Sequence, residues 1–222
     1  MREYREAHRG SRDWEAFRGT AAYGEAKDAL IANQHGICAY CETRLSADRT
    51  KVRIEHFHPK SDVADPHNWT LDWRNFMAVC MGGTNVPDRS SVYGELHCDA
   101  SKGSDPTPIL NPYEMPPELL FKLTERNELV PDVDICGRVG VAGAEGRSTL
   151  ELVENTIRVL NLNCRELRGV RFALRRAYED ERRRLRNDPS THRSIRQIIS
   201  ENWFAGGRRP SLWTTRRLLL GL

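Results

Sequence analysis

The chain has 222 residues, of which 39% are hydrophobic and 29% are charged. This length fits one good-sized domain or two small ones, and the composition is that of a polar, folded protein. The first thirty residues are charged and contain no continuous apolar core, so the sequence predicts no signal peptide. No stretch approaches the roughly 20 apolar residues that cross a bilayer. A cytoplasmic location without membrane contact is therefore the default expectation.

The net charge of +3 is unevenly distributed along the chain. Residues 1–164 carry 19 Lys and Arg against 25 Asp and Glu, whereas residues 165–222 carry 15 Arg and no Lys against 6 acidic residues. An arginine-rich segment of this kind could contact the phosphates of a nucleic acid. The alternative is a solvated helix surface, which is what most charge runs are.

The first third of the chain contains one predicted helix and two predicted strands. Apolar residues at helical spacings predict a helix over residues 11–34, and Gly36 ends that pattern. Residues 42–45 and 51–57 alternate in polarity. This alternation predicts a short hairpin around the turn Ala47-Asp48-Arg49.

The C-terminal part is predicted to be helical. Ser148 and Glu151 form a capping-box signature, which predicts the start of a helix that ends near residue 160. An apolar stripe at helical spacing predicts a longer helix with its N-cap at Asn163. A last helical stretch is expected near 191–204.

Four of the six cysteines have the pattern of a metal site. Cys38 and Cys41 form a C-x-x-C knuckle, and Cys80 and Cys98 can supply a second pair. Four thiolates at about 2.3 Å from Zn²⁺ make a closed tetrahedral site that stabilises a small fold. The 17 residues between Cys80 and Cys98 are a tolerable insertion because loop-closure entropy grows slowly with length. A redox role is the competing interpretation, but no βαβ pattern surrounds the knuckle.

A second set of candidate residues is interleaved with these cysteines. It consists of the run Ile54-Glu55-His56-Phe57-His58-Pro59-Lys60, then Asn75, then His97-Cys98-Asp99 with Lys102. This order resembles the signature of the HNH, or ββα-metal, endonucleases: an acid–His pair before a Pro, an Asn ahead of a cysteine, and a Cys-(His/Asn)-x-x-Lys ending. The resemblance covers about residues 35–105.

The resemblance implies hydrolysis of nucleic-acid phosphodiester bonds, with DNA favoured over RNA. A histidine titrates near neutral pH, so His56 can take a proton from water. Glu55 can hold Mg²⁺ or another divalent cation, because such ions prefer oxygen ligands. By the same resemblance, Asn75 orients His56. The second metal ligand is open between Asp99, which is favoured as a carboxylate, and His97.

Three residues near the motif are candidate substrate contacts: His58, Lys60 and Lys102. Each could instead be an ordinary exposed side chain. A Glu-His pair on a strand is usually a surface pair, so the catalytic interpretation depends on the whole pattern. The rival hypothesis is a non-catalytic zinc module that binds nucleic acid or a protein partner.

A narrower similarity extends beyond the motif. The stretches Ile109-Leu110-Asn111-Pro112 and Thr156-Ile157-Arg158-Val159-Leu160-Asn161-Leu162-Asn163, together with the runs around the motif, are similar to the PtuB-like family. This family contains the HNH proteins of Septu anti-phage systems and of some retron operons. The similarity implies a defence role and an ABC/SMC-like ATPase partner, PtuA. Composition and spacing show neither of these.

The predicted architecture is α+β. An N-terminal helical segment (1–34) and a mainly helical C-terminal region (106–222, basic after 165) flank a small ββα-metal core with structural zinc (35–105).

Overall fold

The structure of the protein is a computed structural model that describes residues 2–8, 11–60, 67–84, 94–141, 146–188 and 192–222. Its strands are β1 (Arg53–His56), β2 (Phe76–Val79), β3 (Phe121–Leu123) and β4 (Leu129–Pro131). Its α-helices are α1 (Arg2–Ala7), α2 (Trp14–Arg18), α3 (Ala21–Asn33), α4 (Asp99–Lys102), α5 (Val133–Cys136), α6 (Thr149–Val159), α7 (Arg165–Arg186), α8 (Ile195–Phe204) and α9 (Trp213–Leu220). The predicted α+β class is confirmed. Within the described ranges, no helix combines the length and apolar composition that a membrane span requires.

Strands β1 and β2 form an antiparallel pair in which Glu55 lies opposite Met77 and His56 lies opposite Phe76. The hairpin predicted around Ala47-Asp48-Arg49 is wrong. Residues 42–45 contribute only an isolated bridge between Arg44 and Ile37. The physical reason is burial, because all four residues of β2 are apolar and buried. That strand removes more apolar surface from water than the polar stretch 42–45 can.

The predicted N-terminal helix is divided at Gly19 and Thr20 into α2 and α3. Helix α3 is attached to the sheet through Gln34, the residue that follows it. The Gln34 side chain accepts from the main-chain N–H of Ala78 at 2.7 Å and donates to the Ala78 carbonyl at 2.8 Å. Gln34 thus hydrogen-bonds one residue on the outer edge of β2, whose buried main-chain N–H would otherwise lack a partner.

The predicted cap of α6 is confirmed, since Ser148 Oγ accepts from the Glu151 N–H at 3.1 Å. The predicted cap of α7 is wrong by one residue. Cys164 takes the N-cap position, and the Asn163 side chain instead bonds both main-chain groups of Leu129 on β4. Helix α8 falls within the predicted stretch 191–204, of which residue 191 lies outside the described residues. Helix α9 was not predicted.

Three arginines on one side of α7 hold the β3–β4 hairpin. Arg171, only 3% exposed, donates to the carbonyls of Asn127 and Leu162. Arg168 pairs with Glu128 at 2.9 Å, and Arg175 donates to the carbonyl of Thr124, next to β3, at 2.8 Å. Part of the basic C-terminal charge is therefore used inside the protein.

Helix α9 is attached to the cysteine knuckle through Glu42, which follows Cys41. The Glu42 carboxylate accepts from the Thr214 main-chain N–H at 2.8 Å and from the Thr214 hydroxyl at 2.7 Å. The Glu42 carbonyl also accepts from the Leu212 N–H at 2.8 Å. One glutamate thus caps the start of the last helix.

We expect Glu42→Ala to lower the free energy of unfolding by about 1–2 kcal/mol, because the first-turn N–H and the hydroxyl of Thr214 lose their acceptor. Chemical denaturation measures the change. Glu25→Ala is the matched control, since Glu25 is exposed on α3. Equal stabilities of the two variants would contradict the capping role.

Candidate functional site

The four predicted cysteine ligands come together in one cluster. The sulfur atoms of Cys38, Cys41, Cys80 and Cys98 all lie within 4.8 Å of one another. The Cys38–Cys98 sulfur distance is 4.0 Å and the Cys41–Cys80 distance is 3.8 Å. A tetrahedron with metal–sulfur bonds of about 2.3 Å has edges of about 3.8 Å, so the donor set and its spacing fit Zn²⁺. The predicted four-cysteine cluster is confirmed.

The geometry of the cluster favours the thiolate form of Cys38. Burial raises the pKa of the Cys38 thiol, but hydrogen bonds with the other three cysteines outweigh burial and hold this pKa well below its usual value. The main-chain N–H of Cys80 adds a donor to Cys38 Sγ at 3.4 Å. Since the thiolate is the form that binds metal, these contacts suit a ligand set.

His97 lies at the cysteine cluster. Its Nδ1 is 3.2 Å from Cys98 Sγ, and its Nε2 is 3.6 Å from a carboxylate oxygen of Glu166 on α7. Its ring is therefore engaged between the cluster and α7. Of the two candidates for the second catalytic metal ligand, the structure brings Asp99, and not His97, to Glu55.

Glu55 and Asp99 meet where β1 passes the one-turn helix α4. The Asp99 carboxyl group is near enough to Glu55 to raise the pKa of Glu55. Glu55 Oε1 also accepts from the Lys102 ammonium at 2.6 Å and from the Tyr40 hydroxyl at 3.2 Å. Asp99 pairs with Arg53 at 3.0 Å. This is an oxygen-rich pair of ligands that suits a hard divalent cation.

The two carboxyl groups perturb each other. Burial raises the pKa of Glu55, and the hydrogen bond and negative charge of Asp99 raise it further, while the Lys102 ammonium opposes both effects. A divalent cation would relieve this repulsion, which is a second reason why the pair suits a metal ion.

His56 is buried beside this pair, with 8% of its surface exposed. Its ring meets the Trp14 and Phe76 rings edge-on, with centroids 4.3 and 5.0 Å away. Its Nε2 lies 3.0 Å from the Thr70 carbonyl oxygen, which can only accept, so Nε2 carries the proton. Burial lowers the pKa of His56 to about 4, contrary to the expected near-neutral value. The ring is therefore neutral at pH 7, with its lone pair on Nδ1.

Asn75 does not contact the His56 ring directly. Its Oδ1 accepts from the His58 N–H at 2.6 Å, and its Nδ2 donates to the carbonyls of His58 and Trp69 at 2.9 Å each. Trp69 immediately precedes Thr70, whose carbonyl oxygen accepts the hydrogen bond from His56 Nε2. Asn75 therefore holds the main chain on both sides of the His56 ring, at His58 and at Trp69.

The three candidate substrate contacts lie in different environments. The His58 ring stacks on Trp69 with centroids 4.2 Å apart. Lys60 is exposed, with its ammonium 5.5 Å from the Trp14 ring centroid. Lys102 is 8% exposed and points to Glu55, so it is not the surface contact that the sequence suggested.

Four residues of the site were not identified from the sequence: Trp14, Tyr40, Arg53 and Thr70. Two of them carried a usable signal. Tyr40 lies inside the C-x-x-C knuckle. Arg53 precedes Glu55 by two residues, which places Arg53 and Glu55 on one face of β1. Trp14 and Thr70 carried none, because their contacts with His56 depend on the folded chain.

Comparisons with known proteins agree with this geometry. No protein-family model matches the chain. The chain is 34% identical over 179 residues to the protein described as "Retron Ec83 putative HNH endonuclease" from Escherichia coli, covering 72% of this chain and 69% of that protein. It is 29% identical over 99 residues to "Septu protein PtuB" from Bacillus thuringiensis, covering 42% of this chain and 32% of that protein.

The class that the site and these relatives define is the HNH endonuclease family. Within that family, the chain belongs to the PtuB-like branch, as the resemblance predicted.

We expect the protein to purify with about one zinc ion per chain and Cys38→Ser to lose it, together with cooperative unfolding, because a structural site contributes directly to folding. Elemental analysis and thermal denaturation measure both effects. Cys136→Ser is the control, since Cys136 is a buried cysteine outside the cluster. Stoichiometric zinc in Cys38→Ser would refute the four-ligand site.

Asn75→Ala is expected to lower the free energy of unfolding by roughly 1–3 kcal/mol, because three partly buried main-chain groups lose their partner. Denaturant titration measures it, with Asn33→Ala, an exposed position at the end of α3, as the control. An Asn75→Ala protein as stable as the wild type would show that Asn75 does not hold this loop.

Proposed function

We propose that the protein is a divalent-metal-dependent HNH endonuclease that hydrolyses phosphodiester bonds, with DNA as the first substrate to test. In this proposal β1, β2 and α4 form the ββα-metal core, and the four cysteines hold a structural zinc ion. The observation that carries the proposal is that the Glu55 and Asp99 carboxyl groups meet beside a neutral His56. The family membership supports the same activity.

Each residue of the site has a distinct proposed task. Glu55 and Asp99 would hold Mg²⁺ or a similar cation, which supplies counter-charge to a phosphate and its leaving oxygen when bound. His56 accepts the proton of the attacking water at Nδ1, and its ring changes from neutral to imidazolium. The Thr70 carbonyl keeps Nε2 protonated, so the ring can accept only at Nδ1.

Burial of His56 has a cost and a benefit for this chemistry. A histidine with a pKa of about 4 is always neutral at pH 7, so the acceptor form is fully populated. Its basicity is low in the free protein. An anionic phosphodiester near the ring would stabilise the imidazolium and raise the basicity when substrate is bound. The basicity of His56 is then highest in the substrate-bound protein.

The names of the relatives support a proposal for the biological role. Their names refer to a retron and to a Septu system. We propose that this chain is likewise the nuclease effector of a cytoplasmic anti-phage defence system and acts with a PtuA-like ATPase. Exposed arginines of α7 that are not bound to the β3–β4 hairpin, such as Arg184 and Arg186, are available to contact nucleic acid or the partner.

We expect His56→Ala to lower Mg²⁺-dependent nicking of plasmid DNA by at least about 100-fold, because a general base contributes roughly 10²–10⁴-fold to the rate. Gel electrophoresis measures nicking, with and without a PtuA-like ATPase from a related operon. His192→Ala, at an exposed position, is the control and should cleave like the wild type.

Equal cleavage by His56→Ala and wild type would remove the catalytic assignment. A wild-type protein that binds DNA or the ATPase but cleaves neither DNA nor RNA under any of these conditions would favour the non-catalytic zinc module.

A further inference from the structure

Two cationic side chains of the protein lie in the candidate metal site. Lys102 and Glu55 form an ion pair whose side chains are 8% and 10% exposed, and Arg53 and Asp99 form a second pair at 32% and 19%. Each of the two carboxylates is thus paired with a cationic side chain. The Lys102 pair is the more buried of the two.

The position of Lys102 follows from the fold. Asp99 and Lys102 are the first and last residues of α4, three apart, and therefore share one face of that helix. Cys98, the last cysteine of the cluster, immediately precedes α4 and anchors it beside β1. The Lys102 ammonium donates to Glu55 at 2.6 Å and to the His56 carbonyl at 3.3 Å. A buried ammonium needs such partners, because an unpaired one is costly.

We propose that Lys102 is an exchangeable counter-cation of the metal site, a positioning residue that holds Glu55 in place until a divalent cation displaces it. The proposal rests on the assignment of Glu55 and Asp99 as metal ligands. A divalent cation on the Glu55 carboxylate would repel the Lys102 ammonium, which lies 2.6 Å from Oε1, so the two cations compete for the same carboxylate. Arrival of the metal therefore releases the Lys102 ammonium from Glu55.

Two properties of Lys102 suit this exchange. The lysine ammonium is a point charge on a flexible four-carbon stem, so it can move without a change of the main chain. Arg53, by contrast, bonds both Asp99 and the Thr84 hydroxyl, and its planar group is held at two points. Lys102 is therefore the cation that moves more easily than Arg53 when a metal ion binds.

The test is Mg²⁺ binding without nucleic acid, measured by isothermal titration calorimetry at pH 8.5 on the zinc-loaded protein. Lys102→Met removes the competing charge and should bind Mg²⁺ at least about tenfold more tightly than the wild type. Without Mg²⁺, Lys102→Met should also melt at a lower temperature, because Glu55 loses its partner. Added Mg²⁺ should then stabilise it more than it stabilises the wild type.

Lys51→Met makes the same change of charge at an exposed lysine and should leave the Mg²⁺ affinity unchanged. Lys102→Gln, which is neutral and polar, repeats the measurement if Lys102→Met does not fold. Unchanged or weaker Mg²⁺ binding in the Lys102 variant overturns the counter-cation proposal.

Glu55→Gln separates this proposal from the metal-site assignment. If the wild type binds Mg²⁺ and Glu55→Gln does not, the ligand assignment stands and the Lys102 comparison decides the counter-cation proposal alone. If Glu55→Gln binds like the wild type, or the wild type does not bind at all, the ligand assignment fails and the proposal fails with it.

Discussion

The cluster of four cysteine sulfurs is the constraint on which the rest of the site depends. It joins the turn after α3, the end of β2 and the start of α4, which are far apart in sequence. Strands of four residues have little stability of their own, and the proposed zinc ion would supply the cross-link that stabilises this sheet. Because Cys98 immediately precedes α4, the cluster also sets the position of Asp99 and Lys102 beside Glu55. A change at the cysteines would therefore also move the Glu55 and Asp99 carboxyl groups relative to each other.

Burial shifts the pKa values of the titratable side chains in the site. Aromatic rings on two sides keep His56 uncharged, and a main-chain carbonyl selects which of its nitrogens can accept a proton. Burial and the neighbouring Asp99 carboxyl group raise the pKa of Glu55. The lysine and arginine beside these two carboxyl groups balance their charge. The same low-polarity surroundings therefore shift the pKa of both the proposed base and the proposed metal ligand Glu55.

The C-terminal helices and the candidate nuclease core are in direct contact. The Leu160 carbonyl accepts from the Cys98 N–H at 2.8 Å, and the Asn161 side chain donates to the Leu96 carbonyl at 2.8 Å. Glu42 holds the start of α9 on the other side of the cluster. A protein that binds the helical region would thus act on the main chain next to two of the four cysteines. This gives a physical route by which a partner can influence the site.

The sequence alone determined the features that depend on local spacing: the α+β class, the cysteine knuckle, the Glu55-His56 pair and the capped start of α6. These follow from a few neighbouring residues, and no distant contact is needed to identify them. Only the tertiary structure decided that β1 pairs with β2, that Asp99 and not His97 joins Glu55, and that Lys102 points inward. It also decided that Trp14 covers His56 and that Asn75 acts through the main chain. Each of these depends on which segments share a buried surface. That outcome is set by the total apolar area removed from water and by the closure of the cysteine cluster, which no local pattern encodes.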